Sequence, residues 1–155
     1  MGPPVAREAR HEPPGPPVGL VFDCADPRLV GGFWRHALGY VEATPPEGHA
    51  SWAGYDVAKE RPADGIGYAI SDPGGTRPSI LFQMVPEPKV AKNRLHIDIR
   101  LSAGAPRPSE EDRRRIDAGV ASLVAQGATV LRRNQDPEDW YVVLQDPEGN
   151  EFCLV

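Results

Sequence analysis

The chain has little of what marks several protein classes. Among its 155 residues are two cysteines, too few for a disulfide-stabilised scaffold. No run of apolar residues approaches the roughly 18 that a membrane-spanning helix needs. Basic residues are outnumbered and the net charge is −5, whereas nucleic-acid binding needs a basic surface. Neither nucleic acid nor membrane is therefore an expected partner.

The first seventeen residues differ in composition from the rest. Six of the eighteen prolines lie in 1–17, with almost no large apolar side chain, so this segment is predicted to be a disordered Pro-rich leader. It lacks the apolar stretch of a secretory signal. With so few cysteines, a cytoplasmic location is expected. Residues 18–155 are enough for one domain with its own core.

A strand followed by a helix opens the first half of that domain. Residues 18–24 are mostly apolar and predict a buried strand. Asp26, followed by proline, is a helix N-cap, and Gly39 suits the helix C-terminus. About three strands follow, one of them partial and irregular at 50–55. The first module therefore covers about 18–85.

The second half predicts the same order of elements. Residues 94–101 form the next clear strand. Ser109 begins a helix with the spacing of a capping box, and Gly127 ends it. Three strands follow, the last two joined by a tight turn at 146–149. The second module therefore covers about 94–155.

The repeated order predicts an α+β fold of two βαβββ modules that form a cupped mixed sheet. A single four-stranded sheet with a bare face is marginal alone, so two modules are expected to pair around a shared concavity. Such a concavity is where a small-molecule ligand would bind. The sequence leaves open whether the modules pair within one chain or swap between two.

Short motifs resemble the two halves of a glyoxalase-like domain of the vicinal oxygen chelate superfamily. The first half contains LVFDCADP at 20–27, FW at 33–34 and LGY at 38–40. The second contains KNRLHID at 92–98, QGA at 126–128 and DPEGNEFC at 146–153. The resemblance implies the glyoxalase/bleomycin-resistance/dioxygenase fold, often a homodimer, with the site inside a cupped sheet.

The resemblance also implies where a divalent metal would be held, by His and Glu side chains from four strands. The first position falls on Gly19 or, with a two-residue shift, on Val21, and neither can bind a metal. The second falls on Gln83, a weak donor, the third on His96 and the fourth on Cys153. A catalytic metal normally has three protein ligands, so this set is incomplete and no cofactor is expected. A divalent metal held by His96 in a rearranged site remains an alternative.

His96 and Asp98 are the predicted catalytic pair. Both lie in the predicted strand 94–101, on the same face, and histidine titrates near neutral pH. His96 would act as a general base and Asp98 would orient it. The alternatives are a hydrogen-bonded structural histidine and a carboxylate paired with an arginine. Further side chains are predicted to contact a ligand: Asp23, Gln83, Arg94, Glu151, Trp52 and Trp140.

Three functional hypotheses follow. The leading one is a glyoxalase-like small-molecule-binding protein without the standard metal set, which either sequesters a compound or carries out metal-free isomerase or lyase chemistry with His96 as base. The second is a divalent-metal-dependent lyase or dioxygenase that uses His96, Asp98 and Glu151. The third is a non-catalytic structural or regulatory dimer.

Overall fold

The computed structural model describes residues 18–59, 67–102 and 107–155, so the predicted leader at 1–17 lies outside the described residues. The first module consists of β1 (Leu20–Cys24), α1 (Pro27–Leu38), β2 (Val41–Glu42), α2 (Trp52–Ala58), β3 (Gly67–Ser71) and β4 (Ile80–Met84). The second consists of β5 (Asp98–Ile99), α3 (Glu110–Ala125), β6 (Thr129–Asp136), β7 (Asp139–Gln145) and β8 (Glu151–Leu154).

The strands form two four-stranded mixed sheets, one from each module. Their orders are β1-β4-β3-β2 and β5-β8-β7-β6, so the two modules repeat one topology. In each sheet the first strand pairs in parallel with the last strand of its module, and the other pairs are antiparallel. The α+β class and the repeated βαβββ order are confirmed.

The predicted helix ends are confirmed because short-range chemistry sets them. The Asp26 side chain accepts hydrogen bonds from the backbone N–H groups of Arg28 and Leu29, both at 3.0 Å. Gly39 ends α1 in the left-handed conformation, with φ of 65°. Ser109 and Asp112 form a reciprocal capping box at the start of α3.

Two predicted strands differ from the structure. The partial strand at 50–55 is wrong: Ser51 caps the backbone N–H of Gly54 at 3.0 Å and starts helix α2. The strand predicted at 94–101 is reduced to β5. Its parallel partner β8 begins only at Glu151, and this residue holds the backbone N–H of Asn93 through its side chain, 3.0 Å away, instead of extending the ladder.

The two modules share one core within this chain. Trp34 of α1 is 1% exposed and lies between Phe22 of the first sheet and Phe152 of the second, with ring centroids 5.2 and 5.1 Å away. Phe33 also packs edge-on against Phe152 at 5.7 Å. Edge-to-face aromatic contacts of this kind add specific geometry to apolar burial. The first helix therefore covers parts of both sheets.

The turn between β7 and β8 fastens the second module to the first. The backbone N–H of Gly149 bonds the carbonyl of Asp146 at 3.0 Å, which confirms the predicted tight turn. The Glu148 carboxylate accepts from the backbone N–H groups of Ala25 (2.7 Å) and Asp26 (2.6 Å). Hydrogen bonds to a charged acceptor are stronger than neutral ones. They fix the turn at the N-terminus of α1.

Helices of the described residues are too short or too polar to cross a membrane.

Candidate small-molecule site

Each sheet has one face that the helices leave uncovered. Successive side chains of a strand point to opposite faces. Phe22 and Phe82 point into the core, so their neighbours Asp23 and Gln83, which are direct partners across β1 and β4, lie on the uncovered face of the first sheet. This face is the position at which the predicted ligand-binding residues were expected.

The second sheet follows the same alternation. Phe152 and Leu154 of β8 point into the core, which places Glu151 and Cys153 on the uncovered face. Asp98 of β5 is the direct strand partner of Cys153. The uncovered face of the second sheet is therefore rich in titratable groups.

A cleft of about 360 Å³ lies between α2 and the uncovered face of the first sheet. We call it the aromatic cleft, and its lining includes Trp52, Tyr55, Gly67, Leu81 and Gln83. The Trp52 indole N–H donates to the carbonyl of Ala43 at 2.8 Å, which fixes the ring. Tyr55 packs edge-on against it, with centroids 6.0 Å apart. The lining also includes the buried carboxyl side chain of Asp56. An aromatic wall with a few polar side chains suits a small organic ligand.

A second cleft, of about 340 Å³, lies on the uncovered face of the second sheet. We call it the basic cleft, and it is lined by Lys92, His96, Leu131, Arg132, Val143 and Glu151. The predicted site residues thus fall into separate clefts, since Gln83 and Trp52 line the aromatic cleft while His96 and Glu151 line the basic cleft.

His96 is exposed and contacts Cys153, with 3.9 Å between Nδ1 and Sγ. Among the described residues Asp98 forms no hydrogen bond with His96, although it lies beside Cys153 in the sheet. Burial raises the pKa of the Cys153 thiol above its ordinary value, and the Asp98 carboxylate raises it further, while Arg132 and Lys92 act in the opposite direction. Cys153 is therefore a protonated thiol at neutral pH.

Glu151 is engaged with the segment between the modules. Its carboxylate accepts from the backbone N–H of Asn93 at 3.0 Å and from Lys89 Nζ at 3.4 Å. These partners, led by the Asn93 N–H, hold the pKa of Glu151 below its usual value. The carboxylate therefore stays charged and is occupied by partners within the protein, so it is not available to a ligand.

The remaining predicted contacts lie elsewhere. Asp23 lines a cavity of about 440 Å³ at the junction of the modules, together with Glu148 and the 87–93 segment. Arg94 is exposed and lines neither the aromatic nor the basic cleft. Trp140 packs on the helix-covered side, 4.9 Å from the guanidinium of Arg113. The structure thus does not bring Asp23, Arg94 and Trp140 together with His96.

Sequence reasoning missed Arg132 and Lys92 of the basic cleft. A strand directly after Gly127 was predicted, but a register shift between Val130 and Arg132 interrupts regular alternation there. Arg132 pairs with Val143 on the uncovered face, whereas Arg133 pairs with the buried Val142. The faces of two consecutive arginines could not be assigned without this bulge.

The four metal positions implied by the resemblance do not form a metal site here. Val21 lies on the uncovered face but supplies no donor, and Gln83 belongs to a different cleft from His96. Within residues 18–59, 67–102 and 107–155 no three His, Cys, Asp or Glu side chains come together to hold an ion. The residues present therefore do not fit the four-ligand group.

Comparison with known families gives one match over most of the chain. The model of the glyoxalase-like domain matches residues 19–155. No curated protein matches in sequence.

Solved structures show the same fold at low sequence identity. A glyoxalase/bleomycin resistance protein/dioxygenase family enzyme from Burkholderia phytofirmans is 15% identical over 87% of this chain and 93% of its own, with a TM-score of 0.57. The fosfomycin resistance protein FosX from Listeria monocytogenes, bound to Mn(II) and 1S,2S-dihydroxypropylphosphonic acid, is 10% identical, with coverages of 88% and 85% and a TM-score of 0.56. The oxidase ChaP-H2 is 13% identical, with coverages of 90% and 91% and a TM-score of 0.54.

Proposed function

The chain belongs to the glyoxalase-like domain family, and from this premise we propose that it binds a small organic molecule against the uncovered faces of its sheets. The observation that carries the proposal is the aromatic cleft, in which a fixed indole and a phenol ring cover a floor of sheet residues. Rings of this kind offer large apolar contact area and lose little conformational freedom on binding.

The ligand of the aromatic cleft is a planar or compact apolar molecule with at least one polar group. Leu81 and Gly67 provide an apolar floor, and Gln83 provides an amide that both donates and accepts hydrogen bonds. The carboxyl group of the buried Asp56 also lines the cleft. A few polar side chains in a largely apolar wall fix the orientation of a ligand more than they add affinity. We propose sequestration of such a compound as the role.

The test is a thermal-shift screen of neutral aromatic compounds, followed by titration of the best binder. Gln83→Leu should weaken binding about two- to twelvefold, since the variant removes one hydrogen bond worth about 0.5–1.5 kcal/mol. Gln135→Leu is the matched control, because Gln135 is an exposed strand residue outside the cleft. Equal affinity in both variants would remove the cleft from the proposal. Sequestration also requires that the protein protects against the compound at an equimolar ratio and that no product of the compound forms.

Proton transfer by His96 is a second candidate, favoured by the place of its imidazole in the basic cleft. The Cys153 contact engages Nδ1, and no described residue bonds Nε2, which leaves this nitrogen for a substrate proton. Arg132 lines the same cleft and would stabilise a developing oxyanion. The predicted orienting role of Asp98 would then pass through Cys153, its strand partner.

His96→Gln tests this candidate. The variant should lose turnover by a factor of about 100 or more, the usual contribution of a general base, and keep the thermal stability of the unaltered chain because the side chain is exposed. A variant that retains full turnover would eliminate His96 as base. Elemental analysis of the unaltered chain and of His96→Ala addresses the metal-dependent alternative. About one ion per chain that is lost in His96→Ala would favour it.

The remaining expectations stay proposals. Homodimer formation is checked by sedimentation of the full chain. A lyase or isomerase activity would be shown by product formed from a carbonyl substrate. A structural or regulatory dimer would show neither ligand binding nor turnover. A cytoplasmic location is tested by fractionation of the cells that make the protein.

A further inference from the structure

The basic cleft concentrates positive charge in a chain of net charge −5. Lys92, His96 and Arg132 all line it, together with the apolar side chains of Leu131 and Val143. In a chain with a net negative charge, basic side chains that cluster beside apolar ones indicate a specific use of the positive charge. The arrangement suits a ligand that has one anionic group and one apolar part.

Arg132 is held in place but keeps most of its donors. One of its terminal nitrogens donates to the hydroxyl of Tyr141 at 2.8 Å, and the guanidinium lies 5.6 Å from the centre of that ring. A guanidinium has five N–H donors in a rigid fork, so one hydrogen bond orients it without saturating it. Its free edge can bind a carboxylate by two parallel hydrogen bonds.

Lys92 is also free to bind an anion. It is exposed and forms no ion pair with another residue in the described part of the chain. Its neighbour Lys89 is different, because it is already paired with Glu151 at 3.4 Å. Lys92 thus adds a second positive charge to the cleft that Arg132 lines.

The two carboxylates nearby do not cancel these charges. Glu151 lines the cleft, but it accepts from the Asn93 N–H and from Lys89, so its charge is compensated. Asp98 lies beside the Cys153 thiol in the strand pair and does not line the cleft. The charged groups that face the cavity without a compensating partner are therefore the cations.

We propose that the basic cleft binds a small organic carboxylate, with Arg132 and Lys92 on the carboxylate and Leu131 and Val143 against the apolar body. The inference goes beyond the proposed function, since it requires neither the aromatic cleft nor proton transfer by His96. A cleft of about 340 Å³ accommodates a molecule with one ring.

The test compares benzoate with benzamide, which has the same shape and no charge. Each probe is titrated into the full chain while NMR follows the Leu131 and Val143 methyl groups. Benzoate should shift these signals with at least tenfold higher affinity than benzamide, because hydrogen bonds to charged groups are worth about 1.5–3 kcal/mol.

Arg132→Gln should reduce benzoate affinity about tenfold or more. Arg133→Gln is the matched control: the same substitution on the next residue removes an arginine that pairs with Asp117 at 2.7 Å on the other side of the strand. It should leave benzoate affinity within twofold. Equal affinities for the two probes, or equal losses in the two variants, would overturn the proposal. If benzoate does not bind the basic cleft, the result of the Gln83 experiment still stands, because that experiment measures a neutral compound in the aromatic cleft.

Discussion

Gly31 shows how one missing side chain sets the distance between a helix and a sheet. A Cβ at this position would lie 2.2 Å from Cδ1 of Tyr68 and 3.0 Å from Cδ2 of Phe82, both buried core residues. Neither ring can move far in a close-packed interior. The absence of a side chain at Gly31 therefore lets α1 approach β3 and β4.

Gly31→Ala should consequently destabilise the protein by about 1–3 kcal/mol, the usual cost of overpacking a core. Gly32→Ala is the matched control in the same helix. A Cβ there meets nothing within 4 Å, so this variant should gain about 0.5–1 kcal/mol from the helix preference of alanine. Urea unfolding measures both changes. A neutral Gly31→Ala would mean that Tyr68 has room to move.

At the same scale, the residues of the site were partly predictable. In the structure, strand alternation places Gln83 on the face opposite Phe82, as the regular pairing of β4 dictates. Alternation failed for the basic cleft, because the bulge before Arg132 changes the register and because Lys92 belongs to a segment without regular structure. Where a side chain sits in an irregular segment depends on tertiary contacts, which the local sequence does not encode.

Whole elements were predictable where local chemistry fixes them. The ends of α1 and α3 follow from Asp26, Gly39 and the Ser109 capping box, each of which acts on backbone groups a few residues away. The elements that were wrong depend on distant partners. The length of β5 is set by how many residues of β8 lie beside it, 50 residues or so further along the chain.

Helix α2 is instructive because its capping residue was present in the sequence. The Ser51 side chain accepts a hydrogen bond from the backbone N–H of Gly54. The segment is seven residues long, however, which is too short to form a stable helix in isolation. Its stability comes instead from tertiary contacts such as the Trp52 bond to Ala43. The aromatic cleft thus depends on an element that only the folded chain can form, which is why Trp52 was predicted as a ligand contact but its helix was not.

On the scale of the whole molecule, the repeated topology was the strongest prediction from sequence. How the modules are joined was left open by the sequence, and within this chain they share a core and a set of polar contacts. Asp146 is 3% exposed, and its carboxylate accepts from the Trp34 indole at 3.0 Å and from the Asn150 amide at 2.9 Å. A buried carboxylate is tolerated because its hydrogen bonds are satisfied.

The Trp34–Asp146 hydrogen bond should therefore couple the two modules energetically. Asp146→Asn turns one acceptor oxygen into a donor that faces the indole N–H, and Trp34→Phe removes that N–H. A double-mutant cycle cancels the packing lost with the indole, and we expect a coupling free energy of about 1–2 kcal/mol. Urea unfolding of all four proteins should show single transitions, because the modules share one core.

Trp140→Phe provides the control for that cycle. The indole N–H of Trp140 has no hydrogen-bond partner in the described part of the chain, and the ring packs on Arg113 rather than at the module junction. Combined with Asp146→Asn, it should give a coupling free energy below about 0.5 kcal/mol, the usual limit for independent sites. A similar value for both tryptophans would mean that Asp146 acts only within its own turn. A coupling confined to Trp34 would instead identify this hydrogen bond as part of what holds the two modules in one fixed arrangement.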